Sequence, residues 1–429
     1  MSGRNRRDFL RFAASIGALG GLGSLGLLPR LGAAADMTLL DRQRVLMNLY
    51  YTKDNDFFRG WARGVSEASS QLNLAVREAV TNMNLELQRA SIENAPLNQV
   101  EGMVTVLQDP GSSPLMLGLA QRQGIAAINN WSTAPWSTPL DIGDKHVAYH
   151  TSHDLLATQT AVENMFAAIG GKGRFVNVIG IPGESSSDMR QEGVRRALKK
   201  YPGIELIAEV AGRNSRGNTL PVVEGVLTSH GKVDAMFCSS DDSAIGAITA
   251  LEARKIDALV TSVDGIPDYL DLMKQGRAFQ TLALTGGWFA AWSTARIFDK
   301  LNGIELSAPE TMMYGGVILL DSPESAAIYK TLTYEQSTFP FDYRLMSRAL
   351  HPDDWDPQNL LAPIDPMELW GPAGWNKTPQ PSSYELPPAY RSMMSDGSFE
   401  KVKQQYASRF RRDPYAEVRA ATRSKQLIV

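Results

Sequence analysis

Cysteine is almost absent from this chain: Cys238 is the only one in 429 residues. That excludes an intrachain disulfide and says nothing about redox compartment. Cys238 stands in an apolar run, the setting of a small buried hydrophobe rather than a reactive thiol. Histidine is nearly as scarce, with five residues. His150 and His153 are three apart, but without a third ligand they make no metal pattern. A basic surplus is also missing. The formal net charge is −3, which removes the electrostatic footprint of a nucleic-acid binder. H-E-x-x-H, G-x-S-x-G and the P-loop do not occur, so the common hydrolase and nucleotide-binding signatures are lacking. Asp353, Asp354 and Asp356 lack calcium-loop spacing and read as a solvated turn. No enzyme, metal or cofactor is expected. What remains is ordinary for a globular protein, with 43% hydrophobic and 21% charged residues, over a length that suits two or three domains.

The first 35 residues stand apart. Asn5-Arg6-Arg7-Asp8-Phe9-Leu10-Arg11 resembles a twin-arginine export signal. A mild apolar stretch follows over residues 12–28, and Ala33-Ala34-Ala35 offers an A-x-A cleavage site that leaves Asp36 first. Residues 1–35 are therefore expected to be a signal peptide, read by the twin-arginine translocase and removed on export. The G-x-G-x-x-G match at residues 21–26 follows no strand and falls inside this segment, so it is not a dinucleotide loop. No later stretch is long and apolar enough to span a bilayer.

From residue 45 the chain alternates strand and helix patterns. Short apolar runs at 45–51, 72–76, 102–107 and 124–128 read as buried parallel strands, with helical spacing between them. Phe58, Trp61, Ala62, Val65 and Ala68 carry the first helical stripe. Residues 148–153 read as a connector into a helix over 155–169. The alternation then restarts with strands at 175–180, 204–210, 233–238 and 258–263. Residues 278–284 and 314–320 read as strands crossing between the two halves. This predicts an α/β chain of two doubly wound lobes.

In such sheets ligands bind outside the strand C-termini, so residues just after each strand are the site candidates. Asn55, Phe57 and Phe58 follow the first strand; an aromatic face there can stack on the C–H face of a sugar ring, and Phe58 equally continues the core stripe. Asn130 and Trp131 end the fourth strand. Arg190 sits in the first turn of its helix, where a guanidinium fork suits vicinal hydroxyls or a carboxylate. Asp241 and Asp264 each follow a strand of the second half; Ser239, Ser240, Asp241 and Asp242 also stand where a helix cap is needed, Asp242 suiting it better than Asp241.

Taken in order, Asn55-Asp56-Phe57-Phe58, Gly124-Ile125, Arg190-x-x-Gly193, Asp241-Asp242-x-Ala244-x-Gly246, Asp264-Gly265-x-x-Asp268 and Asn302-Gly303 resemble the periplasmic sugar-binding proteins of the ribose-binding type. The resemblance covers roughly residues 45–321. It implies two Rossmann-like lobes with parallel sheets, joined by a three-strand hinge. Residues 36–149 with 283–313 would form the N-terminal lobe, and 150–282 with 314–332 the C-terminal lobe. It further implies a periplasmic, monomeric substrate-binding protein that closes on a sugar or polyol and delivers it to an ABC permease with its ATPase subunits. A sensor presenting a ligand to a membrane kinase or chemoreceptor is the alternative. Asn55, Phe57, Phe58, Arg190, Asp241 and Asp264 match the family's ligand-contacting positions. This chain departs where Asp241 replaces the usual Asn and where Leu284 or Thr285 stands in place of a hinge Gln. The aromatics, acids and single Arg favour a neutral polyhydroxyl ligand, while the carboxylate at Asp241 admits an amino sugar.

Beyond residue 321 the sequence leaves the pattern. Residues 333–429 form an irregular C-terminal extension rich in aromatics and prolines, expected to wrap the lobes. Residues 371–388 read as an extended strap, residues 399–406 as a short helix, and Trp355 as a tail aromatic that reaches the ligand cleft.

Overall fold

The computed structural model describes residues 39–107, 109–370, 374 and 381–429. The export signal and part of the proline-rich strap lie outside the described residues.

Two seven-stranded sheets organise the chain. The first is built from β1 (Arg44–Tyr50), β2 (Leu74–Val80), β3 (Val100–Thr105), β4 (Ala126–Asn130) and β5 (His146–Ser152), all parallel. The second is built from β6 (Lys172–Ile179), β7 (Gly203–Ala211), β8 (Ala235–Cys238), β9 (Leu259–Asp264) and β10 (Gln280–Ala283), again parallel. The central strands β4, β8 and β10 are buried along their whole length, which is why they read as unbroken apolar runs with small polar residues. Cys238 is fully buried, as its apolar context implies.

The chain passes between the lobes three times before the extension begins. The first pass follows β5. The second follows β10, where Thr285 takes a left-handed φ of 48° before the helix Gly286–Leu301 returns to pack on the first sheet. The third is a single residue, Gly316, between β11 (Met312–Gly315), parallel to β5, and β12 (Val317–Leu320), antiparallel to β10. Three sequence expectations shift here. Residues 146–152 form a full strand of the first sheet rather than a connector. Residues 280–283 stay in the second sheet, and the crossing comes after them. Residues 314–320 are two strands in two sheets, because Gly316 breaks the run.

The extension returns to both sheets. β13 (Leu361–Pro363) adds antiparallel to β11, and β14 (Leu427–Ile428) adds antiparallel to β12. Between them lies the helix Ser398–Arg409. Trp355 does not face the ligand cleft. It is 2% exposed and packs between Trp292, at 6.3 Å, and Tyr406, at 5.1 Å. The Arg348 guanidinium lies 4.5 Å from its ring centre and pairs with Glu310. Asp356 is likewise no solvated turn. It is buried and accepts the backbone N–H groups of Gln358, Arg411 and Arg412. Its sequence neighbours suggested exposure, but two of its three partners, Arg411 and Arg412, lie more than fifty residues further on.

Trp355 thus fills the joint between the extension and the first lobe. Trp355→Ala is expected to lower the unfolding free energy by about 3–5 kcal/mol, the usual cost of emptying a buried aromatic site, as read from urea unfolding curves.

Candidate functional site: the cavity between the two sheets

The C-terminal edges of both sheets face a common cavity of ≈ 700 Å³, the size expected of a small-molecule site. From the first lobe, β1 ends at Tyr50 and the helix Asp56–Gln71 begins six residues later. Asn55 is its N-cap, its Oδ1 accepting the Phe58 N–H at 2.9 Å. That bond fixes the turn that presents Phe57 and Phe58. The Phe57 ring meets Phe58 and Trp131 edge-on, each at 5.3 Å. Gly286 stands beneath it, where an added Cβ would lie 3.0 Å from the ring. Trp131 is 5% exposed and holds φ at 61°. A bulky residue is strained in this region, and the turn swings its indole into the aromatic wall of the cavity.

From the second lobe come Glu184, Arg190 and Asp264. Arg190 is buried. Its Nε donates to Asp154 Oδ1 at 2.9 Å, and its Nη1 donates to the Ser239 carbonyl at 2.6 Å. Asp154 is itself held by the Ser152 hydroxyl at 2.8 Å. The guanidinium is therefore locked before any ligand arrives. Asp264 ends β9 with φ at 127°, a second strained backbone at the cavity. The lobes meet across the opening. Tyr51 and Glu184 line the same cavity from opposite lobes, and the Ser185 hydroxyl donates to the Thr133 carbonyl at 3.1 Å.

The ionisation states follow from burial. Glu184 is pushed up to about 7, chiefly because burial disfavours its charged form, with Arg190 opposing and Asp154 reinforcing. Asp264 is pushed well above the ordinary carboxylate range by burial first and by the neighbouring Asp241 second, against Arg190. Tyr51 is raised by burial, then by Glu184 and Asp264, so it is a neutral donor. Burial raises Asp241 as well, but four donors oppose it: the Ser262 and Thr281 hydroxyls and the Gly265 and Ile266 N–H groups.

Six of the eight residues expected from the sequence line this cavity: Asn55, Phe57, Phe58, Trp131, Arg190 and Asp264. Two do not. Asn130 is buried behind the wall; its Nδ2 donates to the Thr105 carbonyl at 3.3 Å, and its Oδ1 accepts from Ser293. Asp241 is fully buried and bonds β9, β10 and the turn after β9. The cap of its helix is Ser240, one residue earlier, whose Oγ accepts the Ser243 N–H at 3.2 Å. Ser240 and Asp242 reach the cavity instead. A one-residue shift in the cap therefore inverts the roles of neighbouring residues. Glu184, Tyr51 and Asn214 were missed. Glu184 had a usable signal, for like Asp264 it is an acid in the turn after a second-lobe strand. Of the two hinge positions in doubt, Leu284 lines the cavity, and the Thr285 hydroxyl is buried without a partner.

The histidines do not converge. His150 is buried beside the Ser293 hydroxyl at 3.1 Å, while His153 stacks on Tyr314 at 4.2 Å. Among the described residues no group of three or more His, Cys, Asp or Glu is arranged to hold a metal, and no helix is long and apolar enough to cross a membrane.

Because Glu184 has a raised value in the folded state, its protonated form adds stability. That contribution is complete below its ordinary value of 4.5 and is lost as pH rises through about 7. Glu184→Gln keeps the shape without the charge. It should match the wild type near pH 4.5 and exceed it by about 1–3 kcal/mol at pH 8, measured by denaturant unfolding at both pH values.

Comparison with known proteins places this geometry. The family model of the periplasmic binding protein domain matches residues 47–303. The chain is 21% identical over 280 residues to the D-apiose import binding protein of Actinobacillus succinogenes, covering 65% of this chain and 88% of that one. It is 27% identical over 235 residues to the ribose import binding protein of Salmonella typhimurium, covering 54% and 76%. Among solved structures, an ABC transporter periplasmic solute binding protein from Actinobacillus succinogenes with bound D-allose superposes with a TM-score of 0.62 at 22% identity, covering 67% of this chain and all of that one. On the family match and the two-sheet cavity, the chain belongs to the periplasmic binding protein domain family.

Proposed function

We propose that the protein is a periplasmic substrate-binding protein, not an enzyme. It would capture a sugar or related polyhydroxyl solute between its lobes and hand it to an ABC importer. One observation carries the reading. The cavity sets an aromatic wall of Phe57, Phe58 and Trp131 from one lobe against the buried Arg190 and Glu184 and the half-buried Asp264 from the other. A sugar ring has the matching anisotropy, with apolar C–H faces and a polar rim. The printed functions of the apiose and ribose relatives support the same class.

Binding in such a cleft joins groups from both lobes, so the ligand would favour the closed arrangement that an importer engages. In this reading Asn55, Phe57, Phe58, Trp131, Arg190 and Asp264 touch the solute. Asp241 supports Asp264 and the turn after β9, and Asn130 supports the strand end beneath Trp131.

A thermal-shift screen of the purified protein against pentoses, hexoses, polyols and sugar acids tests this. A ligand that binds only the folded state should stabilise it by about 2.7 kcal/mol at a hundredfold excess over Kd. Asp264→Ala should abolish the shift, and Phe57→Ala should weaken binding by roughly 10–100-fold, the range for a lost ring contact and its buried area. A shift that survives Asp264→Ala would place the solute elsewhere.

A further inference from the structure

The cavity is short of cations where its acids are most buried. Four arginines line it: Arg59, Arg190, Arg213 and Arg216. Three are committed to acids. Arg59 pairs with Asp56, Arg190 with Asp154 at 2.9 Å, and Arg216 with Asp242 and Asp268 at 2.6 and 2.8 Å. Arg213 is exposed at the rim, where water screens it. Lysine and histidine are absent from the described lining. Glu184 and Asp264 therefore share one guanidinium that already serves Asp154.

Hydrogen bonds do not make up the difference. Asp241, next to Asp264, takes four strong donors. Glu184 has an Asn214 amide at 3.5 Å, and Asp264 has no comparable set of donors among the described residues. Both carboxyls line the one cavity together with Tyr51 and Arg190, and both act on those two groups. The opposite wall is aromatic, and ring faces attract cations as well as C–H groups.

We propose that the preferred solute carries a protonated amine beside its hydroxyls, an amino sugar or an amino alditol, with the ammonium answered by Glu184 and Asp264 against the aromatic wall. This deepens the sugar-binding reading and rests on it. An ammonium supplies the missing charge and up to three donors, and charge-assisted bonds are roughly twice as strong as neutral ones. A hydroxyl or an acetamide at the same position supplies no charge.

Proton release gives an independent readout. Without a cation, burial keeps protons on the two carboxyls. Glu184 is faced by Arg190, Asp154, Asp188 and Tyr51, and Asp264 by Asp241, Asp242, Arg190 and Tyr51. An arriving ammonium favours the ionised forms, so binding near neutral pH should expel protons. A neutral sugar should expel none.

The test is isothermal titration of the full chain at pH 7 in two buffers of different ionisation enthalpy. The panel holds hexosamines and 1-amino-1-deoxy-alditols, each beside its parent hydroxyl compound and its N-acetyl form. At least one amine should bind tenfold or more tighter than both its counterparts, with proton release to buffer. Glu184→Gln and Asp264→Asn should bring that ratio toward one. Neutral members that bind as tightly as the amines, or amine binding with no proton exchange, would overturn the proposal and leave the sugar-binding reading standing. If no member of any class binds, both fall.

Discussion

Two adjacent glycines hold the first lobe, the aromatic wall and the extension in one contact. A Cβ on Gly287 would lie 2.5 Å from the Phe339 ring of the extension, and a Cβ on Gly64, in the helix Asp56–Gln71, would lie 2.3 Å from the Gly287 carbonyl. Gly286 does the same for Phe57. The two helices can therefore touch backbone to backbone, which brings Phe57 to the cavity and lets Phe339 close the far side. Cores packed to this density leave no room for even a methylene. The position of the cavity wall is thus set by the absence of side chains behind it.

On the second lobe the corresponding constraint is electrostatic. Arg190 is fixed by Asp154 and the Ser239 carbonyl, and it opposes the rise that burial imposes on Glu184 and Asp264. Asp241 lies beside Asp264 yet has a different task, because its four donors come from β9, β10 and the turn between them and the next helix. Two neighbouring acids thus divide the work. The fully bonded one braces the strand ends, and the sparsely bonded one lines the cavity. Burying a charge is costly unless something meets it, and at the cavity the raised values of Glu184 and Asp264 express that cost.

The sequence made the architecture legible because buried parallel strands are apolar runs separated by helical stripes, and the restart of that pattern after residue 170 signals a second lobe. It also pointed to most of the wall, since residues following strand C-termini sit at the ligand edge whatever their type. It failed where one residue of register decides the outcome. Asp241 and Asp242 both suit a cap, and only the structure shows that Ser240 caps, turning Asp241 into the sheet and Asp242 toward the cavity. Asn130 and Trp131 are the same case, because the left-handed φ at Trp131 redirects the indole and leaves the amide behind. Such a backbone choice leaves no periodic trace. Trp355 and Asp356 were misread for another reason: their partners lie far along the chain, and local composition cannot announce a contact with Tyr406 or Arg412.

The described extension packs on the crossings rather than on the cavity. None of its described residues lines the cavity, whose last contributor in sequence is Leu284. Instead it seizes the passes between lobes. The Gly316 N–H donates to the Leu360 carbonyl at 2.8 Å, and the Gly316 carbonyl accepts from Asn359 Nδ2 at 2.9 Å. The Trp288 indole, one turn into the returning helix, donates to the Pro357 carbonyl at 2.8 Å. β13 and β14 then pair with the two strands that flank Gly316. Rotation of one lobe against the other must be absorbed by torsions at the passes, and here both backbone groups of the tightest pass are already bound. The free hinge positions that remain are the segment after β5 and the strained turn at Thr285. The extension thus bonds the crossing at Gly316 and the start of the returning helix, and its described residues are separated along the chain from those that line the cavity.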